Sequence, residues 1–188
     1  MLKEKIFRLA RHSDGPSRVG GGAPGAVLGM AEFRAGSRFL LLLSGSEFPE
    51  LNGRDLSVMF DEEFLPHGVD TIYPRIGVRC LLHEPSPESS EASTVLDSID
   101  RGSLVLAAEG DPWFIKVGGE PVLIQQEEYY ANAVTAAGYD FFFQVDENGF
   151  PDGFVLEDYP LNYGGLYLYA KRGFGGEVVE VVAGFTQF

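Results

Sequence analysis

Apolar positions in this chain fall into short runs between clusters of Gly, Pro, Asn and Asp: "RFLLLL" at 38–43, "LSVMF" at 56–60, "SLVLAA" at 103–108, "YDFFFQV" at 139–145, "LYLYA" at 166–170 and "EVVEVVAGF" at 177–185. Runs of this length, rich in aromatic and β-branched residues, predict strands. Strand side chains alternate between the two faces, so Phe141 and Phe143 are expected on one face and Phe142 on the other, both faces being covered as in a central strand. By the same alternation Leu166, Leu168 and Ala170 face the core, and Tyr167 and Tyr169 face out or into a partner.

Three segments depart from this pattern. Leu2, Ile6 and Leu9 recur at helical spacing among charged residues and predict a short amphipathic N-terminal helix. Residues 83–94, "HEPSPESSEAST", are polar, acidic and rich in Pro and Ser, which marks an exposed loop or linker, with a helix plausible over "PSPESSEASTVLDSIDRG" closed by Gly102. A further helix is predicted in "QEEYYANAVTAAG", with Glu127 and Glu128 in its first turn and Gly138 at C′. The expected class is α+β, mainly antiparallel β, in a single domain over 1–188.

Asp and Glu number 28 against 14 Lys and Arg, a formal charge of −14 in 188 residues. Such a field repels nucleic acid and anionic lipid and favours encounter with cationic partners. No stretch approaches the roughly 18 unbroken apolar residues of a membrane span, and "MLKEKIFRLARH" lacks the apolar centre of a signal peptide, so a cytoplasmic protein is expected. The single cysteine, Cys80 in "IGVRCLLH", reads as a small buried hydrophobe.

A near-repeat runs through the chain: "RVGGGAP" opens at Arg18 and "KVGGEP" at Lys116, about half of the 188 residues apart. Each is followed by a strand, a turn with an acidic residue before "FP", and a Gly-led second strand, as expected of two related halves over about 15–82 and 103–188. The glycine pair predicts a sharp bend that needs positive φ or close approach of a neighbouring chain, a structural role. Gly20, Gly22 and Gly25 also satisfy G-x-G-x-x-G, but Pro24 stands where a helix would open and the second copy lacks the pattern, so no dinucleotide site is expected.

These segments resemble the YwqG-like proteins, a bacterial family described as being of unknown function. The family's early "K/R-x-G-G-x-P", its strand with an acidic residue and Pro, and its "G-x-L-x-x-F" correspond to "RVGGGAP", "FLLLLSGSEFP" and "GRDLSVMF". Its later "K-x-G-G-x-P-x-x-I-Q" and "L-L-Q-I-D"-like strand correspond to "KVGGEPVLIQ" and "FFFQVDENG", which makes Lys116, Gly118, Gly119, Pro121, Ile124, Gln125, Gln144 and Asp146 the most specific positions. Leu42 or Leu43 stands where the family's first strand often has Gln. The resemblance runs from about Ser17 to Lys171 and implies a largely antiparallel framework of two related halves with no established catalytic residue. It also implies a setting beside polymorphic and contact-dependent toxins, where small acidic domains serve as immunity proteins.

Catalytic patterns are weak. The histidines are His12, His67 and His83, "SGS" at 44–46 is not a nucleophile elbow, and no zinc spacing is present. The acidic turn "DENGFPDG" lacks the spacing of a calcium loop, and Asn148-Gly149 predicts a tight turn between strands.

The expectation is therefore a non-enzymatic protein without a cofactor, namely an immunity protein that neutralises a basic toxin effector, such as a nuclease, delivered between bacteria by type VI or contact-dependent secretion. Candidate partner-binding residues are Asp61, Glu62, Glu63, Glu127, Glu128, Tyr129, Tyr130, Asp146 and Asp152. The alternative is a housekeeping enzyme or small-ligand binder with its pocket at the junction of the two halves.

Overall fold

In the computed structural model the described residues are 3–11, 15–65, 68, 70–108, 110–127, 129–161 and 164–188. Ten strands follow the chain as β1 (Lys5–Ala10), β2 (Arg18–Val19), β3 (Arg38–Leu43), β4 (Asp55–Phe60), β5 (Val78–His83), β6 (Gly102–Leu106), β7 (Ile115–Val117), β8 (Asp140–Asp146), β9 (Gly165–Arg172) and β10 (Val178–Gln187). The helices are α1 (Gly25–Leu28) and α2 (Tyr129–Ala136). All strands join one antiparallel sheet in the order β10-β9-β8-β7-β1-β6-β2-β3-β4-β5. The sheet curls until its edge strands β5 and β10 lie against each other. Arg54 donates to the Val178 carbonyl at 2.6 Å across this seam, and the segment before β5 pairs with the β10 edge through Tyr73 N–H to Gly184 O and Thr186 N–H to Thr71 O.

The strand order is unchanged when β1–β5 are exchanged with β6–β10. Each run sends its first strand across to the other: β1 pairs with β7 and β6 with β2, and β1 and β6 meet at the centre. The registers correspond as well, since Arg18 faces Leu42 as Lys116 faces Gln144. Both third strands carry a bulge at the corresponding place, between Phe39 and Leu41 in β3 and between Phe141 and Phe143 in β8.

The bulges correct the alternation expected for the Phe run. An extra residue sends two successive side chains to one face: Phe142 and Phe143 both enter the main core, as do Leu40 and Leu41, while Phe141 and Phe39 pack on the opposite face. The concave face holds this main core around Phe7, Phe48, Phe60, Phe114, Phe142 and Phe154. Burial of each such ring stabilises the fold by roughly 1.5–3 kcal/mol relative to exposure. On the convex face α1 and the residues after it cover Phe39, Leu42, Met59 and Leu81, and α2 covers Tyr167, Tyr169 and Phe185. Tyr167 and Tyr169, expected to face out or into a partner, are thus buried beneath α2, because β9 is covered on both sides.

Three local expectations change for tertiary reasons. The N-terminal segment is strand β1 rather than a helix: Phe7 and Leu9 point inward, Arg8 points out, and β6 and β7 bond it on both sides. Leu2 lies outside the described residues. The linker is no free loop, and its only helix is the 3-10 turn Ala92–Thr94, because residues 86–89 lie along the first glycine loop, with Gly25 N–H bonded to Pro87 O and Ser89 N–H to Ala23 O. Asn148-Gly149 does not form a hairpin turn but belongs to the 3-10 turn Glu147–Gly149, which begins a long connection that sends Phe150 and Phe154 into the core.

The α2 helix forms in the predicted segment and ends at the predicted glycine, but it begins at Tyr129, so Glu127 precedes it rather than standing in its first turn, and Glu128 lies outside the described residues. Gly138 has φ 83° at C′, Gly138 N–H bonds Thr135 O and Tyr139 N–H bonds Val134 O, a Schellman ending sealed by the buried Val134 and Tyr139.

Candidate binding surface

The repeated motif builds the same latch twice. Gly20 and Gly21 have φ 71° and 77°, and Gly118 and Gly119 have φ 70° and 65°. Two successive left-handed residues curl the chain so that its carbonyls turn back on the preceding cation. Arg18 Nη1 donates to Gly20 O at 2.5 Å and Nη2 to Gly22 O at 2.6 Å. Lys116 Nζ reaches Gly118 O at 3.5 Å and also donates to Glu120 O. Each cation also has an acidic partner from elsewhere in the chain: Glu88 at 3.8 Å from Arg18, and Glu4 at 2.9 Å from Lys116. Burial pulls the Arg18 guanidinium down to about 10; Glu88 opposes the shift and Arg101 adds to it. The Gly22 N–H that a phosphate cradle would offer is already bonded to Glu88 Oε1 at 2.6 Å, so the G-x-G-x-x-G match holds a carboxylate of the chain itself.

Beyond the second latch, residues 122–125 are tied down by buried amide side chains. Gln144 accepts from Val122 N–H at 2.7 Å and donates to Val122 O at 3.1 Å. Gln187 accepts from Ile124 N–H at 2.9 Å and donates to Gln125 O at 3.0 Å. The Tyr167 hydroxyl donates to Val122 O at 2.8 Å. Of the positions singled out by the family resemblance, Lys116 and Gly118 meet in the latch and Ile124, Gln125 and Gln144 take part in this network, whereas Asp146 bonds Asn148 in its own turn. Leu42, opposite Arg18, holds the register position that Gln144 holds opposite Lys116, and in the first run residues 86–89 bond the glycine loop.

These phenols are poor acids. Burial pushes Tyr167 and Tyr169 up to about 12 from 10.0, with Asp146 adding to the shift at Tyr167 against the Ile124 N–H. A folded pKa raised above the unfolded one contributes stability below the unfolded value and loses it on passing to the folded value. Stability is expected to fall between about pH 10 and 12. Arg18 sheds its strained proton in the same range and offsets part of the loss. Urea midpoints measured across this range check the sign; a rising midpoint would contradict it.

A serine-histidine pair that sequence reasoning missed lies across β4 and β5. Ser57 Oγ is 2.9 Å from His83 Nε2, and His83 Nδ1 is 2.8 Å from Glu84 O. Ser57 is 0% exposed, so no substrate carbonyl can approach its oxygen, and the pair serves as a cross-strand polar contact. Burial pushes the Cys80 thiol up, away from nucleophile chemistry. His12 and His67 lie outside the described residues.

The predicted partner-binding residues fall in three places. Asp61 is consumed internally: Arg79 grips both its oxygens at 2.6 and 2.9 Å, and Arg34 lies 3.6 Å away. Glu62 and Glu63 are exposed on the wall of a cavity of about 490 Å³ that Arg34, Leu65, Asp70 and Arg75 also line. Glu127, Tyr129 and Tyr130 gather at the start of α2, the two rings stacked with centroids 4.4 Å apart. Tyr130 turns its hydroxyl inward to Gln125 Oε1 at 2.6 Å, whereas Tyr129 stays 54% exposed. Asp146 caps its own turn by accepting from Asn148 N–H at 2.9 Å, and Asp152 is exposed on the β8–β9 connection. Glu128 lies outside the described residues. The sequence reading passed over Val122 and Ile124 as surface residues, although their alternation with Leu123 and Gln125 was the available signal.

No family model, curated protein or solved structure matches the chain. Its chemistry is therefore read from the distribution of charge. Apart from Lys3 and Lys5, every Lys and Arg has an ion pair or a backbone carbonyl within the fold. Glu62, Glu63, Glu84, Glu120, Glu127 and Asp152 face solvent without an ion pair among the described residues. Among the described residues no helix is long and apolar enough to cross a membrane.

Proposed function

We infer that the chain is a binding protein that neutralises a basic protein partner, most concretely an immunity protein of the YwqG-like kind that covers the cationic cleft of a toxin effector in the cytoplasm. The observation that carries this reading is the division of charge: every arginine is paired with a carboxylate or carbonyl of the chain itself, Arg18 and Lys116 being buried in their latches, whereas exposed carboxylates, Glu127 beside exposed Tyr129 among them, are left without an ion pair among the described residues. Acidic side chains around a tyrosyl anchor suit a cationic surface, because opposed fields speed encounter and a desolvated ring supplies affinity. The corresponding latches, bulges and strand order support an origin in two related halves.

A second reading has one observation in its favour. A cleft of about 520 Å³ at the β5–β10 seam, lined by Arg54, Tyr73, Arg79, Cys80 and Glu180, lies where the two runs meet and could hold a small ligand.

Coexpression with a basic protein encoded beside the chain separates the two. The binding reading expects a copurifying complex whose affinity drops about tenfold or more as salt is raised, and further with Glu127→Lys or Tyr129→Ala. A complex indifferent to salt and to both substitutions would overturn it.

A further inference from the structure

The two latches differ in what lies outside them. Along the first, the segment that follows β5 forms a strap: Gly25 N–H bonds Pro87 O at 2.9 Å, Ser89 N–H bonds Ala23 O at 2.9 Å, and Pro24 and Glu88 form a β-bridge. Glu88 adds its bond to Gly22 N–H, and Ser86 Oγ accepts from Ala26 N–H at 2.9 Å. At the second, Glu4 replaces the carboxylate of Glu88, but no described segment lies along residues 121–125 as the strap lies along the first loop.

Those residues form a prepared edge. Their inner side is held by Gln144, Tyr167 and Gln187, all 1% exposed or less. Burial alternates along them, with Pro121, Leu123 and Gln125 part-buried and Val122, Ile124 and Gln126 exposed, the chain running open over 121–123 and bending at Ile124 and Gln125 onto Gln187. Among the described residues no hydrogen bond reaches the Leu123 N–H. Val122 and Ile124 are 51% and 43% exposed, with Tyr129 exposed nearby in sequence on α2. A rigid backbone edge with a free donor and a pair of apolar side chains is what an added strand pairs with.

The flanking charges choose the occupant. Glu120 and Glu127 stand exposed on either side of the edge, while Lys116, the nearest cation in sequence, is turned into its latch. We propose that residues 121–125 dock an extended segment of a partner protein carrying alternating apolar and basic residues, which lies there as residues 86–89 lie on the first loop. The site deepens the binding reading above and takes from it the sign of the partner's charge.

The probe is a fluorescein-labelled synthetic peptide alternating valine and lysine, followed by anisotropy, with a valine–glutamate peptide as control. The lysine peptide is expected to bind and to slow hydrogen exchange at the Leu123 amide, and the glutamate peptide to bind at least tenfold more weakly. Val122→Lys and Ile124→Lys, both at exposed side chains, are expected to weaken lysine-peptide binding tenfold or more with unchanged circular dichroism. Leu156→Lys, an exposed change on the β8–β9 connection, is expected to leave it intact. No binding of the lysine peptide, equal binding of the two peptides, or indifference to Ile124→Lys overturns the docking edge. Salt-sensitive association with an intact basic partner that survives Ile124→Lys would overturn the edge alone and leave the charge-based reading standing.

Discussion

Arg18→Ala is expected to destabilise the protein by about 3 kcal/mol, which makes the latch worth more than an ordinary surface ion pair. The change strips the donors from the Gly20 and Gly22 carbonyls, and each buried acceptor left unsatisfied costs about 1–3 kcal/mol. It also removes a guanidinium stacked 4.4 Å from the Phe39 ring, a contact of about 1 kcal/mol or more. Against this, the burial strain that pulls Arg18 down to about 10 is relieved, and Glu88 keeps Arg101 at 2.7 Å, so no carboxylate is stranded. Lys116→Ala is expected to act in the same direction, since Lys116 also serves two carbonyls and one carboxylate. The latches share no partner, so the double variant should lose nearly the sum. Urea unfolding of the three variants measures this; a loss below about 1 kcal/mol for either single change would reduce the motif to a surface ion pair.

Gly20→Ala is expected to cost about 3 kcal/mol or more, of which backbone conformation supplies only part. At φ 71° a Cβ atom brings roughly 1–2 kcal/mol of strain. The new methyl group would also overlap the Asp100 carbonyl oxygen, and Asp100 is held in place by its own N–H bond to Phe154 O at 2.9 Å. Relief requires movement of the packed backbone, an additional 1–3 kcal/mol or so. Gly53→Ala is the internal comparison: φ is 79°, yet nothing lies within 4 Å of the added carbon. It should therefore cost about 1 kcal/mol. Equal thermal shifts for the two variants would show that close approach of the 100–101 backbone contributes nothing.

Much of the strand content was legible because an apolar run bounded by turn residues is a local signal. "RFLLLL" became β3 without adjustment, and "LYLYA" lies inside β9. The glycine pairs were equally legible, since four consecutive-pair positions with positive φ are what duplicated glycines beside a cation suggest. β1 was hidden because Ile6 and Leu9 also fit a helical spacing, and only hydrogen-bonding neighbours on both sides decide for a strand. The bulges were hidden for a related reason: "FLLLL" and "FFF" are apolar throughout, so no polar residue within them marks which position is the extra one.

The candidate surface divides in the same way. Glu127 and Tyr129 could be named from an acidic, aromatic segment, and both are exposed. Asp61 could not be discounted in advance, because Arg34 and Arg79, which neutralise it, come from opposite sides in sequence and meet only through the pairing of β4 with β3 on one side and β5 on the other.

By itself the sequence determined where the chain bends and which stretches lie flat, since positive φ at paired glycines and the apolarity of short runs act over a few residues. It likewise determined the acidic excess, which no fold can alter. The tertiary structure alone decided which charges remain available, because inward or outward orientation of Arg18, Lys116 and Asp61 depends on partners as distant as Glu88, Glu4 and Arg79. It also decided that one glycine loop is covered by its own strap while the other presents an open edge, a difference set by where the chain passes after β5.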